Sequence, residues 1–152
     1  MFYHQKNLHF IQPLAIVPVY SPSGDSTALY LEDQVQTYDG PIQSFLDRWA
    51  AYYLINARAM TSYFRSQGIS GPIPLYLGEE IYVSIKTRKA KVPGDRCYGY
   101  FAYGKIKDLT PEGLVLGPYT IPLACSKATT QKAINNGVLV EKIIRESPRF
   151  KS

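Results

Sequence analysis

Tyr98-Gly99-Tyr100-Phe101-Ala102-Tyr103-Gly104-Lys105-Ile106 is the stretch on which the architecture turns. In an extended chain successive side chains point to opposite faces, so Tyr98, Tyr100, Ala102 and Gly104 share one face and Gly99, Phe101 and Tyr103 the other. From Tyr98 to Gly104 neither face is charged, and both are expected to be covered. Residues 75–85 before it and 114–123 after it are also rich in β-branched and aromatic residues. Thr110-Pro111-Glu112-Gly113 reads as a turn into the next antiparallel strand, which sketches a meander.

Upstream, residues 14–20 and 27–31 are β-rich, and Ser21-Pro22-Ser23-Gly24-Asp25 between them supplies turn residues, predicting a first hairpin. A short extended piece, 34–38, leads to Asp39-Gly40-Pro41, where Gly40 turns the chain and Pro41 suits a helix start. Ile42, Phe45, Leu46, Trp49 and Tyr53 then recur on one side of a helix. The pattern predicts that helical character continues through Asn56, Met60, Tyr63 and Phe64 to a cap at Gly68. Arg58, Ser62 and Arg65 fall on its polar, exposed face, and Ser70-Gly71-Pro72-Ile73-Pro74 ends it. Ser126 caps a final helix from about Lys127, with Ile134, Val138 and then Leu139, Ile143 or Val140, Ile144 as apolar pairs. Asn135-Asn136-Gly137 is expected to interrupt that helix, and the tail from Pro148 is expected to fray. With no repeat and no long linker, residues 1–152 read as one α+β domain. It consists of an antiparallel sheet or meander, a central aromatic helix region and a C-terminal helix.

The 152 residues are 45% apolar and 19% charged, and Tyr occurs 13 times, a composition that folds rather than one that stays disordered. No apolar run is long enough to span a membrane, and residues 1–7 lack the basic-then-apolar pattern of an export signal. With only two cysteines, Cys97 and Cys125, no disulfide scaffold is expected, and a cytoplasmic location fits best. Charge is unevenly divided. Residues 1–85 hold four Lys/Arg against seven Asp/Glu, whereas residues 86–152 hold thirteen against five. Such asymmetry suggests a polyanionic partner, double-stranded DNA foremost.

Lys86-Thr87-Arg88-Lys89-Ala90-Lys91-Val92-Pro93-Gly94-Asp95-Arg96 carries five cations and one anion between two predicted strands. It has the composition of a mobile basic loop able to follow a phosphate ridge or place Arg in a narrow minor groove. Lys86, Arg88, Lys89, Lys91 and Arg96 are therefore the first candidate DNA contacts, with Arg58 and Arg65 second. His4 and His9 have no metal-ligand spacing to Cys or carboxylates, and Cys97 and Cys125 lack a CxxC partner. Glu79-Glu80 follows Gly78 in a turn and reads as solvated. No nucleophile elbow, zinc-protease helix, phosphate loop or dinucleotide fingerprint occurs, so neither enzyme activity nor a cofactor is expected.

Several of these features, taken in order, resemble the competence transcription factor ComK family of low-GC Gram-positive bacteria. They are Leu14-Ala15-Ile16-Val17-Pro18, Leu29-Tyr30-Leu31-Glu32-Asp33, and Phe45-Leu46-Asp47-Arg48 followed by Tyr52-Tyr53 and Arg58. Pro72-Ile73, Ile81-Tyr82-Val83, Cys97-Tyr98, and the ending Leu114-Val115-Leu116, Ile121-Pro122-Leu123, Ser126 and Gln131 continue the likeness over roughly residues 12–146. The chain departs from the family at Trp49-Ala50-Ala51 in place of a Cys, at Leu54-Ile55-Asn56 in place of Gly-Ser-Ser, and at Ser84-Ile85-Lys86 in place of Phe-Pro-Thr. The resemblance implies a positive regulator of DNA-uptake genes that binds paired A-rich and T-rich boxes largely through the minor groove. It further implies a homo-oligomer removed by Clp proteolysis through an adaptor. Two other readings compete: a protein-interaction adaptor meeting its partner through Tyr-rich strands, and another β-rich DNA-binding domain of LytTR type.

Overall fold

The computed structural model describes residues 12–22 and 24–150. The expected first hairpin forms, strand β1 (Ala15–Ser21) pairing with β2 (Gly24–Tyr30), and β3 (Val35–Tyr38) extends it. The β-rich residues 75–85 form a second hairpin of β4 (Leu75–Leu77) and β5 (Glu80–Lys86), reversing at the turn expected at Gly78. Gly78 and Glu79 there take left-handed φ values of 60° and 66°, the geometry of a two-residue reversal. Beyond the basic loop, β6 (Tyr98–Ala102) returns along β5. Pairing of Ala15 with Phe101 and Ile16 with Tyr100 joins the two meanders into one six-stranded antiparallel sheet, ordered β3-β2-β1-β6-β5-β4. After a 3-10 turn at Tyr103–Lys105 the chain builds a separate three-stranded meander, β7 (Ile106–Thr110), β8 (Gly113–Leu116) and β9 (Tyr119–Ile121).

Both faces of the large sheet are covered, as the alternation in β6 requires. Ile16, Leu29, Tyr82 and Ala102 face helices α1 (Ile42–Tyr52) and α2 (Ala57–Ser66), whose Phe45, Trp49 and Phe64 are fully buried. Val17, Val83, Ile85 and Phe101 point the other way, onto Leu114, Leu116 and Ile121 of the small sheet and Ala133 of helix α3 (Lys127–Glu146). Each large apolar side chain so buried is worth roughly 1.5–3 kcal/mol. The architecture is therefore α+β, with antiparallel sheets, a central pair of aromatic helices and a C-terminal helix.

Three expectations are corrected. The central helix is not continuous: α1 ends at Tyr52, Leu54 adopts φ 58°, and the Asn56 side chain accepts the Ala59 N–H at 3.0 Å to start a second helix. The break lets Met60 and Phe64 join the core with Ile73 and Leu75, and the Tyr76 N–H meets the Met60 Sδ at 3.2 Å. Helix α3 runs unbroken through Asn135-Asn136-Gly137 because Asn136 and Gly137 are buried against the rest of the molecule. A Cβ at Gly137 would lie 2.6 Å from Tyr103 Cδ1 and 2.8 Å from Val83 Cγ1, and Asn136 Nδ2 donates to the carbonyls of Ser70 and Pro72 at 3.0 and 3.1 Å. The tail is anchored as far as Phe150, which stacks on Phe64 at 5.8 Å and meets Tyr63 and Tyr76. His4 and His9 lie outside the described residues. Among the described residues no helix is long and apolar enough to cross a membrane.

Gly137→Val should cost about 1–3 kcal/mol by forcing the helix off the sheet. Urea unfolding should show a lower midpoint at unchanged slope; an unaltered midpoint would contradict this contact.

Candidate functional site

The α1–α2 side of the large sheet is not fully closed. Between the two helices lies a hollow of about 700 Å³, with Ser84 and Tyr100 on its floor and Arg65, Lys86, Arg96 and Tyr98 among its lining. A neighbouring hollow of about 620 Å³ shares Gln43, Leu46, Thr61, Arg96 and Tyr100 with the first and adds Arg58 and Asn56. Together they form one cleft whose cations come from three separate stretches of chain: α2, the end of β5 and the basic loop. Sequence reasoning named Arg58, Arg65, Lys86 and Arg96 without being able to join them, and the fold brings all four around this cleft.

Local structure explains each position. Arg58 and Arg65 lie seven residues apart on α2, two helical turns, and are both exposed. Arg58 stands in the first turn of α2, which holds no acidic residue, so its charge adds to the positive end of the helix dipole. Lys86 ends β5 directly opposite Tyr98 in the register with β6. Ser84 is opposite Tyr100 in the same register. Burial raises the Tyr100 hydroxyl above its ordinary range, while neighbouring Ser84 and the Arg96 charge pull it back, so at neutral pH it is a neutral donor on the cleft floor.

The rest of the basic loop is built differently, and the expectation of a mobile segment is corrected. Tyr20, near the end of β1, is held between two cations, with the Arg88 guanidinium 3.8 Å and the Lys91 ammonium 3.9 Å from its ring centroid. Its hydroxyl donates to Asp95 Oδ2 at 2.7 Å, and the same oxygen accepts the backbone N–H groups of Lys91 and Val92 at 2.7 and 3.3 Å. Arg88 pairs with Asp25 at 3.1 Å and donates Nε to the Arg96 carbonyl at 2.8 Å, and its side chain is only 10% exposed. Arg88 therefore clasps the loop to the first hairpin and offers no free face to a ligand. Lys89 is exposed on this outer side, whereas Lys91 covers Tyr20.

Sequence reasoning missed the polar floor of Ser84 and Tyr100. One signal was present: from Arg48 to Gly78 the chain has three arginines and no Asp or Glu, a basic stretch concealed in a half whose net charge is negative. The Tyr-rich partner surface expected of an adaptor is reduced to little, since of eight strand tyrosines only Tyr20 and Tyr98 are exposed, and Tyr20 is occupied by its cations. Among the described residues no group of three or more His, Cys, Asp or Glu is gathered as metal ligands would be. Set against family models, curated proteins and solved structures, the chain matches none of them.

The Lys91 N–H, the Tyr20 hydroxyl and the Val92 N–H hold the Asp95 carboxyl below its ordinary range. A carboxylate so depressed stabilises the clasp above its unfolded-state value, and that support is lost only as pH falls through the lower folded-state value. At neutral pH, Asp95→Ala should raise amide exchange at Lys91 and Val92 more than tenfold, read by hydrogen exchange with NMR detection; unaltered protection would show the loop held by something else.

Proposed function

We propose that this chain binds duplex DNA and acts as a transcription regulator, meeting the phosphate backbone across the cleft with Arg58, Arg65, Lys86 and Arg96. The observation that carries this reading is the convergence of those four cations, drawn from distant stretches of sequence, on one cleft. Two carboxylates share its lining, and each has a partner: Asp95 is engaged by the loop clasp and Asp47 accepts from Gln43 at 2.9 Å. Cations gathered in this way raise the local potential, steer a polyanion and gain affinity by releasing its counterions. Exposed arginines at the mouth suit phosphates, which they fork bidentately, better than they suit an apolar peptide.

Lys89, exposed on the outer side of the clasped loop, is a second-rank phosphate contact in this reading, and Arg88 is removed from the contact set. The likeness of sequence to the ComK family extends the proposal to A-rich and T-rich boxes before DNA-uptake genes, read through the minor groove by an oligomer. A minor-groove reader needs Arg and polar side chains at its surface rather than a basic recognition helix. The clasped loop beside an arginine-lined cleft suits that mode.

Replacing Arg58, Arg65, Lys86 and Arg96 together by Ala should flatten the dependence of log K on log salt by about 3–4 units on an AT-rich duplex, followed by fluorescence anisotropy. Arg88→Ala should change the loop without removing a unit of slope. A quadruple variant that kept the wild-type slope would refute this interface.

A further inference from the structure

Tyr98 gives the cleft something that the capture of phosphates does not require. Of the two exposed strand tyrosines, Tyr20 is held between Arg88 and Lys91, whereas Tyr98 stands open and is 41% exposed. It lines the larger hollow with Arg65, Lys86 and Arg96, and in the register of β5 with β6 it is directly opposite Lys86. Two residues further along the same face of β6 comes Tyr100, opposite Ser84. The hollow therefore combines an open aromatic ring, three cations and two hydroxyls.

The size of the hollow limits what can use that ring. At about 700 Å³ it falls in the range, roughly 300–1,000 Å³, of sites that enclose a small organic molecule, and a duplex can only meet its mouth. A single nucleotide fits. Bases of every kind stack on aromatic side chains, and cations beside such a ring track the backbone, the combination by which proteins grip unpaired strands. Polar groups inside a pocket read the hydrogen-bonding edge that a base exposes once its partner is gone. Arg96, two residues before Tyr98 in the chain, and Lys86 opposite it are the cations so placed.

We propose that the cleft takes up an unpaired nucleotide of the bound DNA, its base stacked on Tyr98 and facing the hydroxyls of Ser84 and Tyr100, its flanking phosphates on Lys86 and Arg96. This rests on the DNA-binding reading above. Drawing a base out of an intact helix costs pairing and stacking, so DNA in which a base is already unpaired should bind more tightly. The test uses the full chain and three AT-rich duplexes of equal length, compared by fluorescence anisotropy at one salt concentration. One is fully paired, one carries a short central bubble of mismatched thymines, and one carries the same bubble with abasic sites in place of the thymines. Wild-type protein should bind the thymine bubble about tenfold or more tighter than the paired duplex, and the abasic bubble about as weakly as the paired one. Tyr98→Ala, its fold verified by a thermal melt, should bring the ratio of thymine bubble to paired duplex close to one. Tyr98→Trp should keep the ratio.

Equal affinity of the wild type for the thymine bubble and the paired duplex would overturn the proposal. So would an abasic bubble bound as tightly as the thymine one, which the flexibility of the DNA alone explains, or a Tyr98→Ala variant with its ratio intact. In each of these cases binding of the paired duplex leaves the DNA reading standing. If the wild type binds none of the three, the reading and the proposal fall together.

Discussion

The pairing of β1 with β6 is the seam on which the rest of the molecule depends. Only Ala15 with Phe101 and Ile16 with Tyr100 form the register, reinforced by the Ala102 N–H donating to the Leu14 carbonyl at 2.8 Å. Gly99 permits the close approach, since a Cβ there would lie 3.0 Å from the Ile16 carbonyl oxygen and 3.1 Å from Thr87 Cγ2. Without this seam there are two three-stranded meanders with loose edges. With it there is one sheet broad enough to carry two helices on one face and a second sheet with a third helix on the other.

The same seam produces the cleft. The helices follow β3, in the first meander, yet the floor between them is Ser84 and Tyr100, from the second. Lys86 and Arg96 therefore arrive beneath Arg58 and Arg65 only because the two halves are joined edge to edge. The clasp at Tyr20 has the same origin, tying the β1–β2 end of the sheet to the loop between β5 and β6 through Arg88, Lys91 and Asp95. One pairing thus fixes both a clasped basic loop and an open basic cleft, which divide the cations of a single stretch of sequence between structural and surface roles.

Much of the fold was legible because its signals are local. The first hairpin followed from Ser21 to Asp25, the first helix from the spacing of Ile42 to Trp49, and the last helix from Ser126, whose hydroxyl accepts the Thr129 N–H at 3.1 Å. The errors arose where distant packing overrode local preference. Leucine favours helix, and the apolar period continued past it, so Leu54 gave no warning of a break, although Asn56 stood ready as a cap. Asn136 and Gly137 are weak helix formers kept in α3 by what they touch across the molecule. The candidate residues could be named from charge, but Arg88 could not be told from Arg96. What separates them is Tyr20 and Asp25, more than sixty positions upstream.

We propose that the cleft between α1 and α2, rather than the outer side of the clasped loop or the face of α3, meets the duplex. Titrating an AT-rich duplex into isotopically labelled protein and following backbone amide and Arg side-chain resonances by NMR tests it most directly. The largest shifts are expected at Arg58, Arg65, Lys86, Arg96 and Tyr98, with Arg88 nearly unmoved. Shifts confined to Lys89 to Val92, or to the exposed face of α3 around Lys132 and Lys142, would contradict it.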